Sequence, residues 1–155
     1  VAGWIKDFPN LVVCRTMSKI YGLAGLRIGY ALASAEVADL MNRVRQPFNV
    51  NNLALAGALA ALGDDEFLHA SYELNRSGMV QIVAGLEKLG LEYIKPHGNF
   101  VTFKVGDAAA VNQKLLQQGV IVRPIAGYGL PEWLRVTIGT EAENARFLEA
   151  LEKAL

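Results

Sequence analysis

Residues 15–30 read Arg-Thr-Met-Ser-Lys-Ile-Tyr-Gly-Leu-Ala-Gly-Leu-Arg-Ile-Gly-Tyr. Thr16 and Ser18 bring two hydroxyls, Gly22 and Gly25 free backbone amides in a loop, and Arg27 a planar guanidinium fork. Such a set suits an anion, because the fork matches phosphate oxygens and hydroxyls add short donors. Lys19 stands among them. An amine beside a phosphate pocket does one of two jobs: it clamps the phosphate as a point charge, or it forms a Schiff base with a carbonyl. The spacing is not that of a nucleotide loop, since no Gly-Lys-Ser/Thr follows a glycine at the required interval. A lone Ser-x-Lys would read as solvated surface charge; here a longer string of polar and glycine residues surrounds it.

Further candidates lie in the second half. Arg123 and Arg135 fall in or beside short apolar runs, and Asn99 opens another in Gly98-Asn99-Phe100. Taken singly, Arg135 reads as a solvent-facing strand residue and Arg123 as part of a surface loop before Pro124. Tyr21 and Tyr30 read as packing residues, His69 and His97 as a helix-surface and a turn histidine. Cys14, in the apolar run before the loop, reads as a small buried hydrophobe.

These side chains need elements to hold them. Leu11–Arg15 is a β-branched apolar run and predicts a buried strand that delivers Thr16 to a loop. Leu26–Ala33 predicts a second strand. Ser34 caps a helix to about Arg45, and Pro47 ends it. Asn51 or Asn52 caps a helix over 53–62, so rich in Ala and Leu that it is expected to be buried. A long helix is expected over 65–89, about 37 Å at the standard rise, long enough to link two lobes. Beyond it, strands are expected at 92–95, 99–105, 120–123 and 133–138, with helices at 107–118 and 141–154. Thr140 caps the last, with Glu143 at its third position. The division expected is 1–63 for the end of a large domain, 64–90 for a linking helix and 91–155 for a small α/β domain.

Composition narrows the classes. The 155 residues carry 15 basic and 15 acidic side chains, which argues against a broad basic face for nucleic acid or membrane surfaces. One cysteine excludes an internal disulfide framework, and two distant histidines give a metal cluster little to build on. No apolar run reaches the roughly 18 residues of a membrane span. A globular chain of a reducing, cytoplasmic compartment is expected.

The string Thr16-Met-Ser-Lys-Ile-Tyr-Gly-Leu-Ala-Gly-Leu-Arg-Ile-Gly-Tyr30 closely resembles the pyridoxal-phosphate lysine segment of the fold-type I (class II) aminotransferases. The segment from Gly119 through Arg123 and Arg135 to Thr140 is similar to the C-terminal substrate-binding part of the histidinol-phosphate aminotransferase branch. The resemblance covers nearly the whole chain and implies an α/β fold comprising the end of the large domain and the C-terminal small domain. It implies pyridoxal 5'-phosphate as cofactor, bound to Lys19 as a Schiff base, with Lys19 then moving the proton between substrate Cα and cofactor. Thr16, Ser18 and Arg27 would hold the cofactor phosphate. Arg135 would grip the carboxylate of glutamate or 2-oxoglutarate, Arg123 the phosphate of histidinol phosphate, and Asn99 would border the substrate. No metal is implied, and a homodimer is.

Family members are more than twice this length. The glycine-rich phosphate turn, the aromatic stacked on the ring and the aspartate facing the pyridine nitrogen have no counterpart in these residues. The sequence therefore reads as the C-terminal part of such an enzyme, without transaminase activity by itself. The alternatives are an aromatic amino-acid or other class II aminotransferase, and a non-catalytic dimerisation or binding piece. Arg123 discriminates within the first pair, because a phosphate substrate needs a second anion site. The intact Thr16, Ser18, Lys19 and Arg27 set speaks against the last, since packing alone does not require it.

Overall fold

A computed structural model describes residues 2–155. The chain divides into two compact units, Val1–Ala70 and Ser71–Leu155. In the first, a 3-10 turn over Ala2–Lys6 precedes β1 (Val13–Thr16). A short 3-10 turn, Ala24–Leu26, leads to β2 (Gly29–Leu32). The two strands form an antiparallel pair in which Thr16 faces Gly29 and Val13 faces Leu32. Helix α1 (Ala35–Val44) follows, its first turn capped by the Ser34 hydroxyl, which accepts from the Val37 amide. Helix α2 (Asn52–Leu62) is capped by Asn51, whose side chain accepts from the Ala54 amide. Both caps satisfy amides that a helix start leaves without partners.

The core of this unit is small: Met17, Ile28 and Ala54 are buried, with Tyr21, Leu23 and Leu26 packed against them. Three sequence expectations change here. The second strand starts at Gly29 rather than Leu26, because Arg27 sits in the left-handed region at φ 53° and ψ 47°, which no strand accommodates. Cys14 and Tyr30 are exposed, since β1 and β2 pair only with each other. Helix α2 buries only Ala54, and Leu53 and Leu59 stay more than three-quarters exposed. The small core of this unit covers the helix only around Ala54 and leaves the rest of its apolar surface open.

The unit boundary falls inside α3 (Asp65–Lys88). The helix is not a body of its own, because Ile82 and Leu86 are fully buried in the core of the second unit. That unit is a four-stranded antiparallel sheet in the order β3-β4-β6-β5, built from β3 (Tyr93–Ile94), β4 (Phe100–Lys104), β5 (Arg123–Pro124) and β6 (Trp133–Thr137). Helices α4 (Ala108–Gln117) and α5 (Glu141–Ala154) complete it. Val101, Phe103, Leu134 and Val136 alternate inward along the two central strands. The Phe103 and Phe147 rings meet edge to face at 5.7 Å. The short strand expected at 120–123 starts three residues later, at Arg123, because Val120 and Val122 are drawn into the core ahead of it.

Candidate functional site

In the first unit the candidate residues ride on a closed loop. The Met17 amide donates to the Ile28 carbonyl at 3.1 Å, and the Leu23 amide donates to the Met17 carbonyl at 3.0 Å. Buried Met17 thus pins both ends of the loop and holds the polar residues beside it at the surface. Thr16 and Lys19 are exposed and Ser18 half-buried. The Ser18 amide donates to Thr16 Oγ1 at 3.1 Å, which ties the two hydroxyl residues into one turn. After Lys19 the chain reverses, with the Gly22 amide donating to the Lys19 carbonyl at 2.8 Å. Gly22 takes φ +70°, which a side chain rarely tolerates.

Arg27 closes the 3-10 turn in its left-handed conformation, and its Nη1 donates to the Ala24 carbonyl at 2.8 Å. A non-glycine residue held there stores strain, a feature that concentrates at functional sites. One terminal nitrogen is thereby spent on the loop and the other donors of the fork stay available. Thr16 and Arg27 lie at the two roots of the loop, since Thr16 faces Gly29 across the ladder. Gly29 allows this close approach: a Cβ there would stand 2.6 Å from the Arg15 carbonyl oxygen.

The donor set left on this surface comprises two hydroxyls, a guanidinium and a primary amine. By residue type, hydroxyls and a guanidinium suit phosphate oxygens and a primary amine suits an aldehyde carbon.

The second unit has its own cluster. Arg123 on β5 pairs directly with Arg135 on β6, and Arg135 pairs with Thr102 on β4. Directly paired residues point to the same face, so the two arginines stand side by side. That face is opposite to the one of Leu134 and Val136. Like charges in directly opposed positions repel. No carboxylate among the described residues relieves them, because the four salt bridges involve Arg43, Arg76, Lys104 and Lys153 instead. The arrangement can hold an anion with several oxygens, or two anionic groups at neighbouring positions.

Asn99 is exposed at the foot of β4, where its carbonyl accepts from the Ile138 amide at 2.9 Å. Strand alternation puts it in step with Val101, so the register does not bring it into the arginine row. One residue escaped sequence reasoning. Phe100 lies under Arg135, with the guanidinium carbon 4.7 Å from the ring centroid. The signal was available, since Phe100 and Thr102 alternate outward on the strand beside Arg135, but it required the pairing of β4 with β6. His69 and His97 are exposed, and no group of three or more metal-ligating side chains occurs among the described residues. No helix of the described residues is long and apolar enough to cross a membrane.

Comparison with known proteins places these observations. The family profile described as aminotransferase class I and II matches residues 2–151. The chain is 80% identical over 154 residues to histidinol-phosphate aminotransferase 1 of Dechloromonas aromatica, covering 99% of this chain and 42% of that protein. It is 61% identical to the histidinol-phosphate aminotransferase of Methylobacillus flagellatus, over 98% of this chain and 41% of the relative. It therefore spans about two fifths of the length of these relatives.

Among solved structures, the histidinol-phosphate aminotransferase of Clostridium acetobutylicum superposes with a TM-score of 0.89 at 27% identity, covering 97% of this chain and 47% of that one. The Sinorhizobium meliloti enzyme, determined in complex with pyridoxal-5'-phosphate, gives 0.86 at 30% identity over 97% of this chain and 43% of its own. The fold is that of the fold-type I aminotransferases, and the chain belongs to the aminotransferase class I and II family.

Proposed function

We propose that this chain forms part of a cytoplasmic, homodimeric, pyridoxal-phosphate-dependent aminotransferase that moves an amino group between histidinol phosphate and 2-oxoglutarate in histidine biosynthesis. The activity is assigned to the whole protein, since the relatives are longer than this chain. Bound at the loop of residues 16–27, the cofactor would supply the electron sink for the charge released at substrate Cα. Lys19 Nζ would be the amine that holds the cofactor's aldehyde carbon, and as a free amine it would be placed to carry the Cα proton. Thr16, Ser18 and the free donors of Arg27 hold the cofactor phosphate. Arg135 binds a carboxylate of glutamate or 2-oxoglutarate, and Arg123 the phosphate of histidinol phosphate.

The observation that carries the substrate assignment is the direct pairing of Arg123 with Arg135, two cations side by side with no carboxylate partner among the described residues. One substrate is a phosphate monoester without a carboxylate, the other a dicarboxylate. A site that alternates between them needs anion donors at neighbouring positions, which one arginine does not provide. The names of relatives up to 80% identical support the same assignment.

The test is kinetic, in the full-length protein. Arg123→Ala is expected to lower kcat/KM for histidinol phosphate by roughly ten- to a hundredfold, the loss of one charged hydrogen-bonding partner. Turnover of phenylalanine, which lacks the phosphate, should change little. Equal losses on both substrates, or a wild-type protein that prefers phenylalanine, would move the assignment to an aromatic aminotransferase.

A further inference from the structure

We propose that Phe100 is a positioning residue: its ring sets the plane of the Arg135 guanidinium, so that the two terminal nitrogens are the ones that meet the substrate's anionic group. The inference rests on the reading of Arg135 as an anion-binding residue.

Arg135 is a long side chain with few anchors. It takes part in no salt bridge or side-chain hydrogen bond among the described residues, and its Nε is buried without a partner. Nε faces protein rather than solvent, so the donors left for a ligand are those on Nη1 and Nη2. These form the end-on fork that grips a carboxylate through two parallel hydrogen bonds. The side-chain group that the guanidinium meets is the Phe100 ring, with the guanidinium carbon over it 4.7 Å from the ring centroid. A cation over an aromatic face is attracted by the ring quadrupole, and arginine also stacks flat.

The register gives the ring a second effect. Phe100 pairs with Thr137, one outward position along β6 from Arg135, while Arg123 lies on β5 at the other side of β6. The stacking therefore draws the Arg135 charge toward β4 and away from the directly opposed Arg123. Phe100 itself is 38% exposed on the outward face and is no part of the buried core. An aromatic residue at such a position contributes little to packing inside and much to the group laid over it.

The experiment compares Phe100→Leu, Phe100→Trp and Arg135→Ala in the full-length, cofactor-loaded enzyme. Phe100→Leu is expected to raise KM for 2-oxoglutarate about fivefold with kcat little changed, the cost of a lost partly exposed cation–π contact. Phe100→Trp, which keeps the face, should restore KM. A readout independent of turnover is the Nε–H resonance of Arg135 in the same full-length protein. It should carry a ring-current shift that disappears in Phe100→Leu and persists in Phe100→Trp. If Arg135→Ala raises KM and Phe100→Leu does not, the positioning role is overturned and the anion-site reading stands. If Arg135→Ala leaves KM unchanged, both fall. A fall in kcat at constant KM in Phe100→Leu would also overturn the proposal.

Discussion

At the scale of single residues, Gly29 decides whether the lysine loop can close. Its Cα faces Thr16 across the ladder, and an added Cβ would sit 2.6 Å from the Arg15 carbonyl oxygen. That oxygen belongs to the backbone of the adjacent strand, so it cannot swing away as a flexible side-chain end does. Gly29→Ala must part β1 from β2 at the point where Met17 and Ile28 pin the loop. The expected cost is about 1–3 kcal/mol, the range for inserting an atom into a filled space. A denaturant melt of the 155-residue chain followed by the β1–β2 signals measures it; a melt unchanged within error would show that the strands relax freely. Because Thr16 and Arg27 flank the same junction, the substitution should also weaken pyridoxal phosphate trapping on Lys19 by borohydride.

At the scale of elements, the last helix shows how local chemistry becomes pH dependence. Glu143 Oε2 accepts from the Thr140 amide and from the Thr140 hydroxyl, both at 2.8 Å, in a reciprocal capping box. The backbone hydrogen bond, with the hydroxyl second, holds the Glu143 carboxyl below its usual value of 4.5. A carboxylate with a lowered folded pKa stabilises above its unfolded pKa, and that contribution is lost as pH falls through the lowered value. Thr140→Ala removes the hydroxyl from the cap and should cost about 1 kcal/mol near neutrality. It should also flatten the loss of stability on acidification below about 4.5, because Glu143 then binds its proton more nearly as in the unfolded chain. Thermal melts at stepped pH distinguish this from a general acid effect, in which wild type and variant would fall in parallel.

The capping box was legible in Thr140 and Glu143 because it depends on residues three apart, as were the caps at Ser34 and Asn51. The polar string from Thr16 to Arg27 was legible for the same reason. What escaped was set by distant partners. The left-handed turn at Arg27 follows from closure of the loop against Met17, and nothing in the run Leu-Arg-Ile-Gly marks it. The exposure of Cys14 and of the leucines on α2 depends on what packs beside them, a property of neighbours rather than of their own spacing. Phe100 became visible as Arg135's support only through the β4–β6 register.

At the scale of the whole molecule, burial is shared unequally. The second unit holds a continuous core in which Leu86, Val101, Phe103, Leu115, Leu134 and Leu151 are fully buried. The first has Met17, Ile28 and Ala54, and exposes Phe48, Leu53 and Leu59. Burial of apolar surface is the main favourable term in folding, and local opening free energies follow how many such contacts a segment shares. Amides of β4, β6 and α5 should therefore be the slowest to exchange with deuterium, and those of β1, β2 and α1 among the fastest. The contrast concerns each unit's own contacts, so it should hold at low protein concentration. Equal protection at low concentration would mean that buried apolar area does not set local stability here. Protection of α2 that grows with concentration would have a different origin, since its exposed leucines offer an apolar face that a second molecule can cover. Replacing Leu53 and Leu59 by glutamate should then abolish the concentration dependence while leaving the slow amides of β4 and β6 untouched, because neither leucine belongs to the second unit's core.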